Sequence, residues 1–162
     1  MVTYEEIKSK KFTNLNNTEK VSYHVTTAEM QRFEGSKELG LMLYNKIDNY
    51  VKTNHLKPKY EKLEDLCQIS ETSLKKSCTG TQKITRLFLY KLSVGLKMSV
   101  EEANEYFALC GGVLKADNLE DYICMRALED KDDILHFIEQ FNEYVSKFDK
   151  HQTVNKLKTL YE

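Results

Sequence analysis

The chain offers little that would stop a helix: one proline and six glycines in 162 residues. Proline removes an intrahelical donor and clashes with the turn before it, and glycine gives up the most backbone entropy on ordering. Long stretches rich in Leu, Lys and Glu without either residue favour helices over strands and tight turns. Apolar residues recur three and four positions apart in segment after segment, which is the period of one helix face. The fold class expected is all-α, a compact bundle of short helices.

Residues 1–35 are polar and weakly periodic and read as an N-terminal arm, partly ordered by docking. Within it, NLNNTEK at 14–20 is loop-like and VSYHVTT at 21–27 has a short β-branched flavour. A short helix is conceivable from Thr26 or Thr27 through Phe33. The first firm helix is expected after Ser36, a good N-cap, with Leu39, Leu43, Ile47, Tyr50 and Val51 on one stripe and Asn54, His55 and Pro58 ending it. A second should run from about Lys59 to Cys67. Gln68-Ile69 makes a tight turn, and Ser70 caps a third helix to about Cys78, pinned by Leu74. Gly80 supplies a left-handed stop.

A fourth helix follows Thr85, apolar on two flanks: Leu87, Phe88, Leu92 and Leu96 on one, Tyr90, Val94 and Met98 on the other. It should therefore lie centrally. Ser99 and Glu102 form a capping box opening a fifth helix through Cys110, stopped by Gly111-Gly112. A sixth runs from about Leu119 to Leu128. A seventh runs from about Asp132 to Phe148, with Ile134, Leu135, Ile138, Phe141 and Val145 at helical spacing and acids at its N-terminus, where the helix dipole favours them. TVNKLKTLY at 153–161 suits one or two further turns.

Composition excludes several classes. With 41 % hydrophobic and 30 % charged residues the chain is globular rather than disordered. No apolar run approaches the roughly 20 residues needed to span a bilayer. The opening MVTYEEIKSKK lacks the apolar core of a signal peptide, so a cytoplasmic location is expected and no membrane partner. Cys67, Cys78, Cys110 and Cys124 form no C-x-x-C pair and have no histidine at metal spacing, which predicts reduced, mostly buried thiols and no metal site. Cys78, near the end of the third helix, is the one candidate for a redox-sensing thiol. No phosphate-binding loop, nucleophile elbow or zinc-protease motif occurs, and the four histidines are dispersed. Neither an enzyme nor a cofactor is expected.

The net charge of −1 hides a division. Residues 56–98 carry 9 basic and 4 acidic side chains, whereas residues 99–162 carry 7 and 14. A polyanion could settle only on the middle block, and the C-terminal block would repel it.

Leu63, Ile69-Ser70, Leu74, Gly80 and the run KITRLFLYKLSVGLKMSVEEANEYF at 83–107 carry a resemblance to the lambda-repressor-like (XRE, or Cro/C1-type) helix-turn-helix family, over about residues 37–110. Leu89, Leu92, Leu96 and Ser99-Val100 fall where that pattern wants them. YICMRALEDKDDILHFIEQF at 122–141 also looks like a tail carried by bacterial proteins with such domains. The resemblance implies a helix-turn-helix domain at 36–112 with an acidic helical extension at 113–162 packed on it. It implies a partner, double-stranded DNA, bound by a transcription regulator whose third helix enters the major groove. Carried over position by position, Ser70, Glu71, Thr72 and Ser73 would face bases and Lys75 and Lys76 would lie beside phosphates. Lys83 and Arg86 would hold the backbone. Members usually dimerise, and the seventh helix with the terminal segment is the best candidate for that contact.

Two residue types depart from the family's: Glu64 where a small residue is usual, and Gln68 where glycine is favoured. Larger side chains there predict a looser crossing of the second and third helices or a shifted register. Glu71 is also most simply a first-turn acid favoured by the helix dipole, and the basic group by default a solvated face. A second reading keeps the helical domain as a protein-interaction module, an adaptor or regulator in a bacterial signalling or defence assembly; Glu64, Glu71 and the acidic tail favour it.

Overall fold

The computed structural model describes residues 1–12, 25–148 and 156–160, with only the backbone for 25–36. The loop at 14–20, most of the β-flavoured segment and part of the terminal segment lie outside the described residues. Those described form eight helices and no strand: α1 Tyr4–Ser9, α2 Val25–Thr53, α3 Lys59–Cys67, α4 Glu71–Thr79, α5 Arg86–Gly95, α6 Val100–Phe107, α7 Leu119–Asp130 and α8 Ile134–Phe148. The all-α class is as expected.

The helix starts follow the sequence closely. The hydroxyls of Ser70, Thr85 and Ser99 accept from the backbone N–H three residues on, at Ser73, Phe88 and Glu102, each satisfying one of the orphan donors of a first turn. Asn118 does the same for α7 through Asp121 N–H. The stops are left-handed: Gly80 at φ 78° closes α4 and Lys131 at φ 53° closes α7.

α2 departs from expectation. It begins at Val25, so Ser36 lies inside it rather than capping it, and the boundary between arm and domain at 35/36 falls within one continuous helix. Gly35 and Ser36 weaken a helix only by about 1 kcal/mol. The short helix conceivable near Thr26 and the firm one after Ser36 have simply joined.

α5 is central, touching α3, α6, α7 and α8. Its Tyr90 is fully buried between the rings of Phe107 and Phe141, at centroid distances of 5.5 and 5.6 Å. Gly95 lets α5 lie directly on α3, since a Cβ there would sit 2.5 Å from the Leu66 carbonyl oxygen. Gly40 does the same for α2 against α4, with Ser77 O only 2.7 Å from its missing Cβ. The arm is docked at its start: Val2 and Ile7 are buried, and Glu6 accepts from Tyr122 Oη at 2.9 Å while pairing with Arg126.

The apolar stripe of α8 is buried within the chain through Ile134, Phe137, Ile138, Phe141, Tyr144 and Val145; Leu135 alone of the expected stripe points out, 52 % exposed. Of the terminal segment's described residues, 156–159 lie outside any helix or turn and Leu160 lies in a turn. Their backbone hydrogen bonds go to side chains instead: Asn142 donates to Leu157 O at 2.9 Å and accepts from Leu157 N–H at 2.8 Å.

Candidate nucleic-acid interface

α3, the turn Gln68–Ser70 and α4 bring most of the expected site residues to one surface. On α4 the exposed positions are Thr72, Lys75, Lys76 and Thr79, spaced i, i+3, i+4, i+7, opposite the buried Leu74 and Ser77. Ser70 is exposed, while Glu71 and Ser73 are half-buried. Lys83 is exposed in the loop that follows Gly80.

Arg86 does not join them. It opens α5 facing inward, with Nη1 donating to Cys110 O at 2.7 Å and Gly112 O at 2.6 Å and Nη2 to Asp121 Oδ1 at 2.8 Å. Tyr90 Oη donates to the same carboxylate oxygen, and Lys115 N–H donates to Asp121 Oδ2 at 3.1 Å. Burial works against the Arg86 charge, but Tyr90 and Asp121 more than offset it and its pKa is raised; burial, then Asp121, holds Tyr90 protonated well above the ordinary phenol value. A guanidinium committed in this way cannot hold a phosphate. A signal was present in the sequence: Asp121 lies on the inward stripe of α7 with Leu128 one heptad on, and an acid there requires a buried cation or donor.

The two departures from the family's residue types have structural uses. Glu64 does not wedge α3 and α4 apart. Its carboxylate accepts from Glu71 N–H at 2.6 Å, so the first free donor of α4 is already held by an acid. Gln68 takes the left-handed conformation at φ 55° that glycine would otherwise serve. Its amide then reaches both ways, donating to Asp65 O at 3.1 Å and accepting from Leu160 N–H at 3.2 Å. The C-terminal segment is thereby tied to the turn before α4.

A set of residues that no single segment reveals completes the surface. The Lys59 ammonium lies 5.1 Å from the Tyr44 ring centroid and 5.3 Å from that of Tyr60, and the Lys75 ammonium lies 4.9 Å from Tyr60. Asp48 pairs with Lys52 at 2.8 Å and Lys59 at 3.6 Å, and Glu71 pairs with Lys75 at 2.8 Å. Lys52 holds the Asp48 carboxyl below its ordinary value, and Glu71 raises the Lys75 pKa. Lysines packed on rings in this way are held in place before any ligand arrives. Only the pairs Asp48/Lys52 and Glu71/Lys75 could be read from i, i+4 spacing. The rest needs α2, α3 and α4 assembled.

The cysteines are free thiols, and burial raises Cys78 above the ordinary thiol value, the opposite of what a sensing thiolate needs. Among the described residues no three His, Cys, Asp or Glu side chains gather as metal ligands, and no helix is long and apolar enough to cross a membrane. No protein-family model, curated protein or solved structure matches the chain.

Proposed function

We propose that the chain is a cytoplasmic helix-turn-helix transcription regulator of the lambda-repressor-like kind, binding duplex DNA through α4. The observation that carries this reading is the exposed polar stripe Thr72, Lys75, Lys76, Thr79 on the second helix of a tightly turned pair. The ring-held lysines Lys59 and Lys75 support it beside that stripe. The chemistry on offer suits phosphate better than base edges. The stripe has no Arg, Asn or Gln to make a bidentate base contact, and lysine is a point charge. Affinity should thus be strongly salt-dependent and weakly sequence-dependent.

The test is fluorescence anisotropy on random-sequence duplex DNA from low to moderate salt. Each phosphate neutralised contributes roughly −0.9 to the slope of log K against log salt. A slope worth about three to five contacts, lost in Lys75→Glu/Lys76→Glu with the helical signal intact, supports the proposal. No binding at low salt overturns it.

One observation favours the second reading, an interaction module without DNA. The first turn of α4 carries an acid, Glu71, and a second acid, Glu64 of α3, occupies a donor there that phosphate would use. On that reading the same double charge reversal leaves function untouched.

A further inference from the structure

A groove of about 440 Å³ lies between the start of α4, the outer side of α5 and the segment 156–160. That is within the range of small-molecule sites, roughly 300–1,000 Å³. We propose that it binds a small amphipathic carboxylate, with an apolar body on the floor and its anionic head among the lysines. The inference is independent of DNA binding.

The floor is apolar: Ile69, Phe88 and Leu157 line it and are buried, and Leu87 and Leu160 line it and are half-buried. The charge around it is one-sided. Among the described residues, Lys91, Lys156 and Lys158 line the groove and no carboxylate does, in a chain where 25 acids outnumber 24 Lys and Arg. Such a wall attracts an anion, and its apolar floor rewards one that carries a hydrocarbon or aromatic body. Bare phosphate would leave that floor wet.

The walls are held in place by hydrogen bonds. Lys91 Nζ donates to Gln68 O at 2.7 Å and Lys158 O at 3.0 Å, clasping the turn to the segment. Leu160 N–H donates to Gln68 Oε1 at 3.2 Å, and Asn142 holds Leu157 from the other side. A preformed groove loses little on ordering, so modest contacts suffice for binding. Lys158 contributes its carbonyl to the fold while its side chain is exposed, as is that of Lys156. Their ammonium groups are therefore available to a ligand.

The experiment is isothermal titration of the full chain with decanoate below its micelle concentration, with acetate and decanol as controls. Saturable one-to-one binding is expected for decanoate, at least tenfold weaker for either control. Lys156→Gln/Lys158→Gln should weaken decanoate at least tenfold with an unchanged melting temperature. Should that variant melt early, a nitroxide-labelled carboxylate titrated into the wild-type chain decides instead. It should broaden the amide resonances of Ser70, Ser73, Leu87 and Leu157 first. No saturable binding, equal binding of decanol, binding indifferent to the two lysines in a folded variant, or broadening centred elsewhere would overturn the proposal.

Discussion

At the junction of α5 and α7, Arg86, Tyr90 and Asp121 meet away from water. On the surface of α2, α3 and α4, Lys59, Lys75, Tyr44, Tyr60, Asp48 and Glu71 meet in it. Both sites combine cations, carboxylates and tyrosines, and burial separates their roles. The Arg86 and Asp121 side chains are 16 % and 3 % exposed, whereas Lys75 and Glu71 are 54 % and 47 % exposed. Removing one partner inside leaves a charge that water cannot reach; removing one outside leaves a charge that water hydrates at once. The inner group is therefore a lock between the central helix and the acidic extension. The outer group is a surface whose charges can be exchanged for those of a ligand.

The largest effect should come from breaking the lock. Asp121→Asn strands Arg86 and is expected to cost about 3–5 kcal/mol in urea unfolding. Arg86→Met/Asp121→Leu should recover part of that loss, because two apolar groups need no partner; a double variant as unstable as the single one would show that Tyr90 and the Cys110 and Gly112 carbonyls matter as much as the ion pair. Next comes Gly95→Ala. The new Cβ would meet the backbone of Leu66 and Cys67 at 2.5 and 2.8 Å, so α5 must move off α3, at about 1–3 kcal/mol or more.

A third prediction uses pH. Burial pushes the Cys67 thiol from 9.0 up to about 12 and raises Cys124 and Tyr90 as well. The folded state therefore holds protons that the unfolded chain releases; the contribution is present below pH 9.0 for the two thiols and below pH 10.0 for Tyr90, and is lost as pH rises from there through the folded values. Above pH 9.0 the loss per thiol is about 1.4 kcal/mol per pH unit. A urea midpoint that is flat to pH 8.5 and falls beyond it, less steeply in Cys67→Val, would match.

The smallest effects belong to the outer group. Glu71→Gln should change stability by less than about 0.5 kcal/mol. It should tighten duplex DNA about fivefold at low salt, the worth of roughly 1 kcal/mol between unit charges in water. An unchanged DNA affinity would detach this surface from nucleic acid. Cys78→Ser should alter neither stability nor the response to oxidant.

Most of the fold was legible because helix periodicity and capping are local. Ser70, Thr85 and Ser99 cap where their types and neighbours say they should, and the apolar stripes of α2, α5 and α8 point inward almost residue for residue. The candidate site was legible in part. Thr72, Lys75 and Lys76 share a face because α4 is a helix and its spacing is fixed. Arg86 was misplaced because spacing put it on the basic loop's edge, while its direction depends on Asp121, 35 residues away. The lysine and tyrosine row needed three helices brought together.

The sequence by itself determined α3 to α8, the caps at Ser70, Thr85 and Ser99 and the cationic middle block, since each depends on residues within a few turns of one another. Only the tertiary structure decided which cations face water, how Glu64 and Gln68 are used, and that residues 156–160 lie against the turn before α4. Those outcomes rest on contacts between distant segments, where desolvation and hydrogen-bond satisfaction decide the direction each side chain takes.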